Sequence, residues 1–523
     1  MIEHSCLRKQ LPNRSLSIAL RGGHVQMKPH VWSLTHWISC LAALLACACV
    51  ARTASKQSAS SDPPSGLVIS DVTVISPERA APLEHAHVRI RDGRIEEVSE
   101  GPLEGVHEIN GTGRYLIPGL IDTHVHLAIS PGFPAPMTAA DAAANPDIVA
   151  EALAQDPKSY LYFGFTTLLD LVGSGDRIAR WNAVELRPDA HFCAAAVSVN
   201  HQLRHIRFPG FSYAESAAAF AAALADTAQE TPEAVIGRIA GDGAICVKTM
   251  YDSFSRIAPN VKDLEALVAA AHARNLPVFI HANRRESQAL AVAAGVDVMA
   301  HGMWRNQNEA PELDDEVRGI LAGVVSNRMG YQPTTQVIVG EFDTIDEEYL
   351  KRPLLAEVYP ARLIEWYDST QYKNPVRTRN SYAGAETRFQ GTIRRGAEVT
   401  RFLAERDARL LFGSDTPSAQ LHTNPPGLNG RLEMDNWIAA GVSEAKLFRA
   451  MTIDNARVMR LDDEIGTIER GKKANLLLLG ADPLKSVKAY DAIETVFLHG
   501  RPITRETLSA RHVPREKQGR STR

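Results

Sequence analysis

Between residues 118 and 457 short apolar runs alternate with alanine-rich stretches, and this rhythm leaves few architectures open. The apolar runs fall at 120–127, 165–170, 190–199, 244–250, 277–282, 297–301, 324–335 and 409–414. Between them lie helix-like stretches such as "AESAAAFAAALADTA" and "VKDLEALVAAAHARN". Strand–helix alternation over this length predicts a parallel sheet in an α/β protein, most simply a (β/α)8 TIM-type barrel. One connection is too long for a simple loop. Residues 337–405, with "EEYLKRPLLAEVYPARLIEWYDSTQY", read as a mostly helical insertion. It is expected either as a lid over the barrel mouth or as decoration outside it.

The flanks of this region are strand-like. In 67–117, "GLVISDVTVIS" alternates apolar and polar residues, and "HAHVRIRDGRIEEVSE" places an Asp-Gly turn between two such runs. After residue 458 strand character returns in "ANLLLLGADP" and "AIETVFLHGRPI". Neither flank is large enough to fold well alone, so 67–117 and 458–508 are expected to form one composite β-sandwich beside the barrel domain, 118–457. Residues 509–523 are basic and polar and read as a disordered tail.

The N-terminus reads differently. "HWISCLAALLACACVA" (36–51) has the length of a signal-peptide core and is short for a membrane span. Lys28 and His30 precede it, and counting from Met27 gives normal secretory proportions, so 1–51 is read as a leader in which 1–26 is either a mis-called start before Met27 or an unusually long n-region. "LLAC" loosely matches a lipidation signal that would place a lipid on Cys47; plain cleavage near Ala51 and a retained anchor helix are the alternatives. Residues 52–66 follow as a disordered tether. The chain is thus expected to be exported, periplasmic or anchored facing the periplasm, and to meet a membrane only through this leader.

Four of the six cysteines lie in the leader, leaving Cys193 and Cys246, which do not make a disulfide framework. The net charge of −4, from 57 basic and 61 acidic residues, gives no electrostatic case for nucleic acid. A small-molecule substrate is expected, with a homo-oligomer left open.

The chemistry-bearing residues sit at strand ends. His124 and His126, in "YLIPGLIDTHVHL", have His-x-His spacing at the end of an apolar run. A two-residue period turns both imidazoles to one face, with Asp122 beside them as a supporting group. His281 ends "LPVFIH", His301 ends "GVDVMAH", and Asp415 follows "LLFGS". Lys248, in "CVKTM", puts a cation in an otherwise apolar strand. Lysine is rarely buried without a partner. In a barrel, the C-terminal ends of different strands meet at one mouth. All six side chains would therefore arrive together.

With these residues in view, the chain resembles the amidohydrolase superfamily, and within it the imidazolonepropionase-like and Xaa-Pro dipeptidase-like branch. The resemblance covers about residues 67–500 and rests on "IPGLIDTHVHL", "VKTM", "FIHAN", "DVMAHG", "LLFGSDT" and "GTIERGKKANLLLLGADPL". In the last, Asn475 stands where an Asp is usual. The resemblance implies a binuclear centre. His124 and His126 would bind the more buried ion and His281 and His301 the more exposed one. Lys248 would be carboxylated and bridge the two, and Asp415 would ligate the first ion and act as general base. Zinc is the first expectation, with Mn, Co and Fe open.

The implied activity is hydrolysis of a C–N bond in a dipeptide, an N-acyl amino acid or a cyclic amide. The leader argues against imidazolonepropionase itself, a cytosolic activity. Two other readings remain: a mononuclear deaminase of ring substrates, and a metal-free scaffold. Lys248 discriminates against the first and the full ligand set against the second. Around the site, His201, Arg204 and His205 are expected to hold a substrate carboxylate, Tyr251 to donate to a developing oxyanion, and His422 to line the pocket. After the lysine this chain reads "YDSFSR" where the branch often has a Gly-rich turn.

Overall fold

The structure is a computed structural model. It describes residues 66–104, 107–127, 144–199, 202–206, 222, 225, 230–251, 261–304, 312–369, 384–418 and 421–513. The leader, nearly all of the tether and the last residues of the tail lie outside these.

The parallel strands expected from the sequence are present. They are β6 (Leu120–Val125), β7 (Phe165–Asp170), β8 (Asp189–Val199), β10 (Cys246–Met250), β11 (Val278–His281), β12 (Val298–Met299), β13 (Gly330–Tyr331) and β14 (Arg409–Leu410), with β9 (Gln202–Ile206) added antiparallel to β8. Their order in the sheet is β14-β13-β12-β11-β10-β8-β7-β6, so each strand lies beside its parallel neighbour in sequence. Every residue of β6 and β7 is buried, as strands covered on both faces must be. The two end strands also meet. Thr123 N donates to Phe412 O (3.2 Å), Asp415 N to His124 O (2.7 Å) and His126 N to Thr416 O (2.8 Å). Asn455 bridges the same two strands from below, its Nδ2 donating to Ile121 O and Phe412 O, both at 2.8 Å. The parallel sheet is therefore strongly curled.

Helices cover the outer face. Pro232–Gly241 starts at Thr231, whose side chain accepts from Ala234 N, and buries Val235, Ile236 and Ile239. Asp315–Ser326 is capped by Asp314 through Val317 N and buries Val317, Leu321 and Val324. This helix corrects the expected strand at 324–335. Val324 completes a helical stripe, and only Gly330–Tyr331 pair as a strand.

The inner face holds Ile121, Leu169, Cys193, Cys246, Phe279 and Val298. There Cys193 and Cys246, paired in register on neighbouring strands, form a disulfide with a Cα–Cα distance of 4.4 Å. Two cysteines predict no disulfide framework, and the structure shows this single bridge between them.

A second sheet of eight strands joins the two ends of the described chain. It contains β1 (Leu67–Val74), β2 (Leu83–Arg91), β3 (Arg94–Ser99), β4 (His107–Asn110), β5 (Tyr115–Pro118), β15 (Leu476–Leu479), β16 (Ile493–Leu498) and β17 (Arg501–Thr504). The late strand β15 pairs antiparallel with the early strand β5. Asn475 sits where the chain re-joins this sheet. Its Oδ1 accepts from His499 N (2.8 Å), and its Nδ2 lies 3.5 Å from Asp189 at the start of β8. An aspartate here would face Asp189 as a second carboxylate, which accounts for the amide.

The described part of the insertion is helical: Thr335–Asp343, Leu355–Val358, Ala361–Asp368 and Ala385–Ala404. Residues 509–513, expected in a disordered tail, are structured. Ala510–His512 form a 3-10 turn, and Ser509 Oγ donates to Glu357 (2.6 Å). Among the described residues no helix is long and apolar enough to cross a membrane.

Candidate metal centre

His124, His126 and Asp415 come together from the two end strands of the parallel sheet, their ligand atoms within 4.8 Å of one another. His126 Nε2 lies 2.9 Å and His124 Nε2 3.2 Å from Asp415 Oδ1. His301 stands on the other side of the carboxylate, with Nδ1 3.7 Å from Oδ2. The His301 ring centroid lies 4.7 Å from that of His124 and 4.4 Å from that of His281. Three imidazoles, of His124, His126 and His301, thus flank one carboxylate, and His281 stands behind His301.

The backbone sets this up. The end strands bond through Asp415 N and His124 O. Asp415 takes a left-handed conformation (φ 53°), unusual for a residue with a side chain. Gly413 leaves the space for it: a Cβ there would come within 2.6 Å of His124 Cβ. Asp122, fully buried, accepts from His124 N and Ser414 N, both at 3.0 Å, and from Ser414 Oγ. It ties the two ligand-bearing strands together, and burial pushes its carboxyl up to about 7 against the pull of these donors.

Lys248 is the unusual member. It is 2% exposed and its Nζ has no hydrogen-bond partner among the described residues. An ammonium in such a place is costly. Burial pushes the amine down to about 7, with the charge of Asp415 acting the other way. Burial also pushes His124 down to about 3 and His301 well below the usual range, with Lys248 adding to both effects. For Asp415 burial alone would raise the carboxyl. Electrostatic interaction with His124 and His301, then the contacts with His124 and His126, outweigh it and hold it well below the ordinary value.

These residues fit a divalent cation. His124, His126 and Asp415 bring two imidazoles and a carboxylate within 4.8 Å of one another, and His124 Nε2 and Lys248 Nζ are buried without a hydrogen bond among the described residues. Imidazole nitrogens and carboxylate oxygens together are ligands typical of zinc and related ions.

The other expected site residues divide. Tyr251 is buried, with its N donating to His281 O (3.1 Å). Burial, helped by Asp263, pushes its phenol up to about 12, so it remains a donor at neutral pH. His422 is buried between Tyr349 and Tyr367 of the insertion, at ring distances of 5.6 and 5.4 Å, and its carbonyl accepts from Tyr359 Oη (2.9 Å). The insertion therefore rests on the loop that follows Asp415. His205 lies on β9, half-buried; the side chain of Arg204 and the whole of His201 lie outside the described residues.

Sequence reasoning missed Gln332, Thr334 and Trp304. Gln332 Oε1 lies 3.1 Å from His124 Nδ1, Thr334 Oγ1 lies 3.1 Å from His301 Nδ1, and the Trp304 ring lies 5.1 Å from that of His301. Their signal was positional: each follows the end of a parallel strand.

Comparison with known proteins agrees with this geometry. A stretch of 71 residues is 32% identical to a 5-methylthioadenosine/S-adenosylhomocysteine deaminase of Halalkalibacterium halodurans; it covers 12% of this chain and 16% of the length of that curated relative. A Xaa-Pro dipeptidase solved with bound methionine shares the fold at 19% identity, over 84% of this chain and 100% of that one (TM-score 0.56). A putative prolidase from Bifidobacterium longum does so at 20%, over 84% and 95% (TM-score 0.56), and a molinate hydrolase at 17%, over 87% and 99% (TM-score 0.60). The model of the amidohydrolase family matches residues 115–503. That span holds both end strands and every candidate ligand, and the chain belongs to the amidohydrolase family.

Proposed function

We propose that this protein hydrolyses C–N bonds of small amide substrates at a centre of two divalent metal ions bridged by a carboxylated Lys248. One observation carries the reading: a buried lysine amine without a hydrogen-bond partner among the described residues, near enough to His124, His301 and Asp415 to interact with each electrostatically. A neutral amine attacks CO2, forms an N–C bond and releases a proton, leaving a carbamate. The cation becomes an anion with two oxygens, which reverses the sign of its interaction with metal ions. Burial, which lowers the amine, favours its reactive neutral form.

His124, His126 and Asp415 would hold the first ion, His281 and His301 the second, and zinc suits this donor set best. A bound pair of ions would supply an acidified water and polarise the scissile carbonyl. Asp415 takes the proton of the attacking water and returns it to the leaving nitrogen. Tyr251 donates to the oxygen that becomes negative. Dipeptides, N-acyl amino acids and cyclic amides are the substrate classes proposed, supported by structural relatives named as dipeptidase and prolidase. The backbone bonds between the end strands support closure of the parallel sheet into a (β/α)8 barrel. Export is proposed as well: a disulfide in the core suits an oxidising compartment.

A second reading is a single-metal deaminase. The 71-residue match favours it, as does a complete three-ligand group in His124, His126 and Asp415. Metal analysis separates the two. Two equivalents per chain, falling to one or fewer in Lys248→Met, are expected; a single equivalent indifferent to that substitution would favour the deaminase.

A further inference from the structure

We infer that one three-residue segment, Gln332–Thr334, aims the metal-binding nitrogens of two histidines that serve different ions, and that Glu433 holds this segment in place. The inference rests on the metal reading of the site.

The orientation of Gln332 follows from its partners. Thr123 O can only accept, and Gln332 Nε2 lies 3.2 Å from it. Thr123 Oγ1 donates to Phe412 O (2.8 Å), so it accepts from Gln332 Nε2 (2.8 Å). The amide nitrogen therefore faces Thr123, and the amide oxygen faces His124 Nδ1 at 3.1 Å. An acceptor at that distance requires a hydrogen on Nδ1. The lone pair of His124 is then on Nε2. This atom is buried, makes no hydrogen bond and lies 3.2 Å from Asp415 Oδ1. Two electron-rich atoms so close are repulsive unless a cation lies between them.

Two residues on, Thr334 Oγ1 meets His301 Nδ1 at 3.1 Å; a hydroxyl that accepts there puts the lone pair of that ring on Nε2. Thr334 gives up an ordinary role to do so. It occupies the N-cap of helix Thr335–Asp343, where a threonine hydroxyl normally accepts from the first turn, yet its side chain makes no capping bond. Its backbone is left-handed (φ 46°), strained for a residue with a Cβ.

Glu433, from helix Leu428–Ala439, supplies the missing cap. It accepts from Thr335 N (3.1 Å) and Gln336 N (2.6 Å), while Trp437 Nε1 (2.9 Å) fixes its own position. A carboxylate at a helix N-terminus satisfies amides that would otherwise be open. The segment is also held by Gly302 N donating to Pro333 O (3.1 Å). Gln332, Thr334 and Glu433 are positioning residues: they act on the ions only through the two histidines.

The test uses chelator-treated, 15N-histidine-labelled full-length protein. Long-range proton–nitrogen NMR reads the tautomer of each ring, and metal titration reads affinity. In the wild type His124 and His301 carry hydrogen on Nδ1. Gln332→Leu is expected to release His124 into a tautomer mixture and to weaken metal binding by about 10- to 100-fold, the usual cost of losing such a partner. Gln332→Glu keeps an acceptor for Nδ1–H while losing the bond to Thr123 O. It should preserve the tautomer and regain much of the affinity. Thr334→Val should do to His301 what Gln332→Leu does to His124, and Glu433→Leu should loosen His301.

The inference is overturned if His124 keeps the Nδ1–H form in Gln332→Leu, or if the Leu and Glu variants lose metal equally with wild-type tautomers. The metal reading fails separately, if wild-type protein with the expected tautomers takes up no divalent ion.

Discussion

At the scale of single residues, the site is organised around an electrostatic mismatch. Lys248 would be a buried cation beside Asp415, yet no acceptor among the described residues reaches its amine. Most of the residues around it were legible in the sequence because each ends a strand: His124, His126, His281, His301, Lys248 and Asp415 all do, or nearly so. Gln332, Thr334 and Glu433 were not, since an amide, a hydroxyl and a helix-borne carboxylate carry no spacing signal of their own. Tyr251 and His422 are buried as pocket residues would be, although His422 reports contact with the insertion rather than with the ligands. Asp415 carries the sharpest expectation for one side chain. Asp415→Asn should keep the fold, read as an unchanged circular dichroism spectrum, and lower kcat by about 10²- to 10⁴-fold, the range for a lost general base. A near-wild-type kcat would remove it from that role.

At the scale of elements, alternation of strand and helix was readable, and the ends of elements were not. The run 324–335 is rich in β-branched residues and reads as a strand, but Val324 belongs to the buried stripe of a helix started by Asp314. Tertiary burial decided there against local composition. The disulfide was hidden for a different reason. Cys193 and Cys246 are separated by 53 residues, and only the pairing of β8 with β10 brings them into register. Closing a loop of that length should stabilise the fold by roughly 3–4 kcal/mol through the unfolded chain. Replacing both cysteines by alanine should lower the denaturant midpoint accordingly, and an unchanged midpoint would show that the cross-link contributes nothing.

At the scale of the whole molecule, two sheets are joined through Asp189. This residue opens β8 and meets His499 Nε2 (2.8 Å), with Lys473 and Arg187 nearby. Burial alone would raise its carboxyl; the hydrogen bond and charge of His499, then Lys473 and Arg187, outweigh it and hold it below the usual value. A carboxyl lowered on folding adds stability that is complete above its unfolded value and is lost as pH falls through its folded value. Asp189→Asn should therefore be less stable than the wild type at neutral pH, by an amount constant down to about pH 4–5, the ordinary carboxyl range, and shrinking below it. A stability difference that persists undiminished into strong acid would contradict this.

The central claim is chemical: Lys248 carries a carboxyl group between two ions. It is tested most directly by 13C NMR of the metal-loaded protein equilibrated with 13C-bicarbonate. A carbamate carbon signal in the wild type that is absent from Lys248→Met is the predicted result. A fully metallated wild type whose spectrum matches that of Lys248→Met would contradict it.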